Sequence, residues 1–360
     1  MPSLLLALLL ALAGPTQDEP TPAATTGTLV VLNKSEATAA LVDPESGEVR
    51  RVLPTGEGPH EAAVSPDGRL AVVCDYGQRE AGSTLTVLDL ERLEVARTVS
   101  LGEHRRPHGI EFQADGRHVV VTVEQSRAIL RVDLETSSVV RAFPTEAQVS
   151  HMLALAPDGA RAFVANIGSG SVTVIDLVEG AILAQVPTGE GAEGITVTPD
   201  GKEVWVTNRA ADTISVLDAE WLEVKASLPC GQFPIRVKIT PDGKHALVSN
   251  ANSGDVAVFD VAARKELARI PMELTAVEGS DERLFGERFG DSPVPVGILI
   301  EPGGGRAYVA NTNADLVTIL DLEAWKVAGR IAPGREPDGM AWSPLPAPKR
   351  SAAEAGDGGR

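Results

Sequence analysis

The stretch FVANIGSGSVTVIDL, residues 163 to 177, returns as WVTNRAADTISVLDA (205 to 219), LVSNANSGDVAVFDV (247 to 261) and YVANTNADLVTILDL (308 to 322). Each copy holds a short apolar strand closed by Asn, a polar turn, and a second strand that alternates Val, Ile or Leu with smaller residues and closes at Asp. Period-two alternation of β-branched residues suits a pleated strand, and the turn between the two makes them a hairpin.

Working outward, the closing Asp serves as a ruler. It recurs as Asp43, Asp89, Asp133, Asp176, Asp218, Asp260 and Asp321, at spacings of 46, 44, 43, 42, 42 and 61 residues. Seven copies at about 40 to 45 residues fall in the range of propeller blades. Each unit also carries a strand leading to a turn such as SPDG, APDG or TPDG, and a last strand such as AILAQVP, which makes four strands per unit. Residues 28 to 53 supply only the second to fourth strands of a unit, and EPDGMAWS at 336 to 343 supplies the missing first one. The predicted architecture is therefore an all-β, seven-bladed β-propeller of four-stranded antiparallel blades, its ring closed by N- and C-terminal strands sharing one blade.

The boundaries follow. An apolar run from Leu4 to Ala13, ending in Ala11-Leu12-Ala13, is too short to span a membrane and has the small-x-small end of a cleavage site. Residues 1–13 read as a signal peptide, 14–26 as a linker, 27–344 as the propeller and 345–360 as a disordered tail. The expected location is periplasmic or secreted, with no membrane span, and a monomer is expected. Cys74 and Cys230 fall in non-adjacent units, so no disulfide is expected, and no CxxC or CxxCH motif is present. The net charge of −18 with only short basic clusters argues against nucleic-acid binding.

The four quoted repeats resemble the YVTN-repeat, or YncE-like, β-propellers, over about residues 27 to 344. That resemblance implies seven blades and frequent export, and says little about activity, because one fold carries many functions.

Variation concentrates on one face. Four extra residues lie in YGQREAGS (76 to 83), about two in EHRR (103 to 106), and 19 in the interval containing MELTAVEGSDERLFGERFGDSPV (272 to 294). In an up-and-down blade all three connections emerge on the same side, where function usually sits. The longest carries Phe285 and Phe289 and reads either as a lid over the channel or as a surface excursion.

On that face the residue that begins each first strand is, round the ring, His60, His108, His151, Glu193, Ile235, Val296 and Asp338. Imidazoles with carboxylates suit a divalent transition metal such as Zn or Cu, with Glu193 or Asp338 as fourth ligand or general base and Arg236 orienting an anionic substrate. PHGIEFQADG is similar to the way nitrous oxide reductase propellers present copper-ligating histidines. Only His108 matches that PHG step; the chain holds six histidines where that cluster needs seven, so nitrous oxide reduction is not expected. Strand alternation points the other way: it places His108 with Ile110 and Phe112, and His151 with Leu153 and Leu155, between blades, leaving Glu61, Glu111, Arg236 and Lys238 as the channel lining. Two function classes remain open. One is an exported binding module presenting its loop-rich face to an envelope protein, peptide or glycan. The other is a metal-dependent oxidoreductase, lyase or hydrolase. Lactone hydrolysis stands only as an analogy with other seven-bladed propellers.

Overall fold

The computed structural model describes residues 25–275, 277, 283 and 285–349. The expected signal peptide, most of the linker and the tail beyond residue 349 lie outside the described residues.

The repeat builds seven four-stranded antiparallel sheets, each with its strands in sequence order except one. The exception is the first blade, in which Pro337–Ser343 pairs with Thr28–Asn33, Val30 opposite Ala341, and Thr38–Val42 and Val49–Pro54 complete the sheet. The two ends of the chain thereby zip the ring shut, and Thr28–Asn33 gains a partner on its inner side.

The ruler Asp has a local cause. In the turn after Thr213–Asp218, the Asp218 Oδ1 accepts backbone N–H bonds from Glu220 and Trp221, both at 2.9 Å, and the same pattern holds at Asp89, Asp133, Asp176 and Asp321. A short carboxylate bonding two and three residues ahead replaces the backbone pairing that a turn gives up. The closing Asn acts within its own blade: Asn166, Asn208 and Asn311 donate to Thr173, Ser215 and Thr318 on the neighbouring third strand, at 2.9 to 3.0 Å.

The core lies between blades. Val72, Leu85 and Val99 of the second blade interdigitate with Val119, Leu130 and Val132 of the third, all fully buried, and equivalent layers repeat round the ring. Inner strands approach so closely that a Cβ on Gly339 would lie 2.1 Å from the His60 carbonyl oxygen, and one on Gly297 2.0 Å from that of Asp338. Cys74 and Cys230 are free thiols. No helix among the described residues is long and apolar enough to cross a membrane.

Candidate functional site

Three repeat positions converge at the channel mouth on the loop-rich face. The first is the ring already named, from His60 to Asp338. The second lies at the end of each second strand, just past it in six blades and within the longer strand Leu70–Gly77 in the other: Lys34, Tyr76, Glu124, Ile167, Arg209, Ala251 and Thr312. The third is the residue before each first strand, and there the backbone is left-handed in every blade: Gly58, Arg106, Val149, Gly191, Phe233, Val294 and Glu336 have φ between 53° and 75°. In all seven blades the second-position N–H donates to the third-position carbonyl, from Lys34 to Glu336 at 3.0 Å through Thr312 to Val294 at 3.0 Å. Register shifts follow immediately, as between Pro107 and Ile110. The left-handed residue and the bulge together re-aim the first side chain.

This corrects the alternation argument for the histidines alone. His108 is fully buried, but its ring stacks on other imidazoles instead of packing with Ile110, its centroid 4.2 Å from that of His60 and 3.6 Å from that of His151. Uniform period-two counting fails because the bulge inserts a residue between position 108 and the regular strand.

The mouth is divided. On the polar side, His60 Nδ1 lies 2.8 Å from Asp338 Oδ2, and Lys34 Nζ lies 2.6 Å from His60 Nε2 and 2.7 Å from the same carboxylate. Since an ammonium only donates, Nε2 accepts and the Nδ1–H points at Asp338, which makes His60 neutral. Burial and the Lys34 charge hold its pKa below the ordinary histidine value. Burial alone would raise Asp338, but Lys34 and His60 outweigh it and keep the carboxyl far below the usual range. His151 is the opposite case. Burial would lower it, yet its Nδ1 lies 2.5 Å from Glu124 and its Nε2 3.4 Å from Glu193, and these carboxylates raise its pKa above the ordinary histidine value. Burial would raise Glu193, but His151, Arg209 and Arg236 lower it to about 2. Tyr76 donates to Glu124 at 2.8 Å.

His108 sits between these two histidines, edge-on to Tyr76 at 5.5 Å. Burial, with His151 and His60 beside it, holds its pKa well below the ordinary value, so it is neutral. Neither of its ring nitrogens has a hydrogen-bond partner among the described residues, and neither has Asp338 Oδ1. Orphaned polar atoms at such burial are uncommon and call for a cause.

One layer down, Arg236 spans the channel, its Nη2 2.6 Å from Glu61 Oε1 on the far side and its Nη1 3.4 Å from Glu193. It plugs the channel beneath the mouth. Deeper still, burial raises Glu111 against the lowering pull of Lys238, and Glu111 accepts the Leu155 N–H at 3.0 Å. Glu61 and Arg236 thus belong to the floor of the site, and Glu111 and Lys238 to the shaft below it.

On the apolar side, Ile235, Val296, Ala251 and Val294 form a patch covered by Phe289, which is buried and stacked between Phe285 and Phe233 at 5.5 and 4.9 Å. Residues 285–294 of the long connection therefore lie over that half of the mouth. Its Phe289 is a packing residue, while Arg283 reaches the polar half, where Asp315 holds its guanidinium at 2.6 and 2.8 Å.

Above His60 and Tyr76 opens a cavity of about 330 Å³, walled by Lys34 and Ser35 on one side and by Gln78, Arg79 and Arg106 on the other, with Arg283 and Glu336 at its edge. A larger hollow of about 390 Å³ lies on the opposite face between the fifth and sixth blades. It recurs between the next pair at about 250 Å³, so it is a by-product of blade packing. Among the described residues no three His, Cys, Asp or Glu side chains are disposed to hold a metal ion.

A model of the seven-bladed lactonase propellers matches residues 180–278. The chain is a seven-bladed β-propeller. No curated protein sequence matches it. Among solved structures it is similar to hydrazine synthase from Kuenenia stuttgartiensis, at 19% identity with a TM-score of 0.68, covering 80% of this chain and 90% of that one. It is also similar to a functionally unknown protein from Desulfotomaculum acetoxidans DSM 771, at 14% identity with a TM-score of 0.73, covering 88% and 99%. At such identities the likeness is one of fold.

Sequence reasoning found the propeller's first ring and missed the second, which supplies Lys34, Tyr76, Glu124 and Arg209. The signal was present: Lys34, Glu124 and Arg209 each follow the residue that closes a second strand, and Tyr76 takes the equivalent place in the longer strand Leu70–Gly77.

Proposed function

We propose that this propeller binds a small molecule at the channel mouth of its loop-rich face. The observation that carries this reading is the gathering of fully buried, unpartnered polar atoms, both His108 nitrogens and Asp338 Oδ1, under a cavity of about 330 Å³. A cavity of this size with a few convergent polar groups and perturbed titrating residues is how ligand sites are built. The plug formed by Arg236 and Glu61 makes it a one-ended pocket. Export to the periplasm or beyond, expected from residues 1–13, would place the pocket before solutes, or before an envelope protein, peptide or glycan that inserts a small group into it.

The test is native mass spectrometry of protein purified from its own host without chelators, with thermal-shift screening of a metabolite library. Support would be a co-purifying mass, or a hit whose stabilisation is lost in His108→Leu. No bound mass and no hit in the wild-type protein would overturn the reading.

The same orphaned nitrogens favour a second reading, metal-assisted catalysis with zinc or copper on His60, His108, His151 and either Glu193 or Asp338. A neutral, unpartnered imidazole is the ligating form. As placed, however, the rings stack rather than converge, and His60 and His151 are engaged by Lys34, Asp338, Glu124 and Glu193. Elemental analysis of the same preparation decides: stoichiometric metal lost in the His60→Ala, His108→Ala, His151→Ala triple variant would establish it. Hydrolysis of lactones, suggested by the partial family match, would instead use His60 as base against Asp338, and a lactone panel with His60→Gln tests it.

A further inference from the structure

We infer that the ligand of this pocket is an anion, recognised through a carboxylate or phosphate group by Arg79 and Arg106; the inference rests on the binding function just proposed. The chain carries a net charge of −18, yet four basic side chains, Lys34, Arg79, Arg106 and Arg283, wall one cavity of about 330 Å³, with Glu336 the one acidic side chain lining it among the described residues. Lys34 and Arg283 are each neutralised by a buried or half-buried carboxylate, Asp338 and Asp315. The other two are not. Arg106 donates to the backbone carbonyls of Tyr76, Gly77 and Gln78 at 3.1 to 3.4 Å and stacks over the Tyr76 ring at 4.6 Å, with no carboxylate partner. Arg79 has no hydrogen-bond or ion-pair partner among the described residues and stands exposed at the rim.

Both arginines come from inserted chain. Arg79 lies at the tip of the hairpin extended by YGQREAGS, whose strands Leu70–Gly77 and Ala81–Asp89 outrun the six-residue strands typical of the other blades. Arg106 ends the lengthened connection to the third blade and is itself held at φ 60°, in the left-handed region that side chains avoid. Its carbonyl bonds tie it to that same hairpin, so the two guanidiniums are presented by one local unit.

A third observation is independent of these. Arg283, buried and lining the cavity, has an Nε–H that finds no acceptor among the described residues, although its terminal nitrogens are taken by Asp315. Guanidinium donors in a cleft with low-dielectric walls recognise planar or tetrahedral oxyanions through paired N–H bonds, and an uncompensated positive cleft in an acidic surface focuses such ligands.

The test is isothermal titration of the purified whole chain with inorganic phosphate and with succinate, each against sodium chloride at matched ionic strength. The comparison proteins are Arg79→Gln, whose exposed side chain has no fold-stabilising contact, and Lys202→Gln, a surface control on the opposite face. Expected is saturable binding of at least one probe, weakened at least tenfold in Arg79→Gln and unchanged in Lys202→Gln. The probe that binds tells phosphate from carboxylate recognition. No saturable binding of either anion, or equal loss in the two variants, overturns the inference. If native mass spectrometry at the same time shows a neutral bound molecule, the pocket reading survives and the anion assignment alone fails; if it shows none and no library hit appears, both fail.

Discussion

His108 shows at the scale of one residue why this mouth is costly to build. A buried imidazole with neither nitrogen paired gives up roughly 1–3 kcal/mol of desolvation per orphaned group. His60 and His108 both have pKa values held below the ordinary value by burial and cationic neighbours. On acidification through about 6.5 the unfolded chain takes up protons that these two refuse, so the stability they contribute falls with pH. His151, raised by Glu124 and Glu193, contributes in the opposite sense: its stabilisation is full below about 6.5 and is lost as pH rises through its folded value. His151, Glu111 and Asp75, the last raised to about 6 by burial, act against them, so the effect of His108 is read as a difference between proteins. Between pH 7 and pH 5 the wild type should lose stability relative to His108→Leu, by up to about 1.4 kcal/mol per pH unit. Parallel melting curves for the two proteins across that range would show that His108 does not titrate as a buried neutral group.

Arg236 is the second residue-scale case. Removing it alone, as Arg236→Met, strands Glu61 in the channel, while Glu193 keeps Arg209 and His151, and should cost about 3–5 kcal/mol in chemical denaturation. The double variant with Glu61→Leu should recover part of that loss, because replacing a buried pair by apolar groups is far milder than breaking it.

At the scale of the element, most of the fold was legible because its causes are local. The Asp that closes each third strand bonds the two amides after its turn, and this needs no distant partner. Asp218→Ala removes the bonds to Glu220 and Trp221 and should lower stability by about 1–2 kcal/mol in urea titration, each net hydrogen bond being worth roughly 0.5–1.5 kcal/mol. The site was legible only in part. The first ring, His60 to Asp338, shares one repeat position and could be found by counting. The direction of those side chains could not, because the left-handed residue before each first strand is Arg106, Val149, Phe233, Val294 or Glu336 in five of the blades, and nothing in those identities announces a positive φ. Arg236 pairing with Glu61, 175 residues away, depends on ring closure and is invisible to any local pattern. The long connection was legible as an insertion but not in its contacts. Phe289 seals Ile235 and Val296, so Phe289→Ala should cost about 3 kcal/mol and open residues 285 to 294 to proteolysis while the blades stay folded, a comparison that limited trypsin digestion at Arg288 makes directly.

For the whole molecule, closure and site formation are the same event. The strand Pro337–Ser343 completes the first blade and also delivers Asp338 to Lys34 and His60, residues some 300 positions earlier. Truncation after Arg335 should therefore abolish cooperative unfolding, whereas truncation after Pro346 should leave it unchanged, as read by circular dichroism melts. Ring geometry also explains the division of the mouth. Contiguous blades contribute His60, His108, His151 and Glu193, while the blades of Ile235 and Val296 contribute the apolar patch that Phe289 covers. One half is covered by its own chain, and the other opens into the cavity.

The most direct measurement is the electron density beside His108 and Asp338 in a high-resolution crystal structure of protein purified from its own host without chelators. Expected is ordered density of a non-water group in the mouth, in hydrogen-bond contact with a His108 nitrogen or Asp338 Oδ1. A mouth holding only ordered water, with the His108 ring satisfied by it, would mean the three histidines are scaffold and the binding site lies elsewhere.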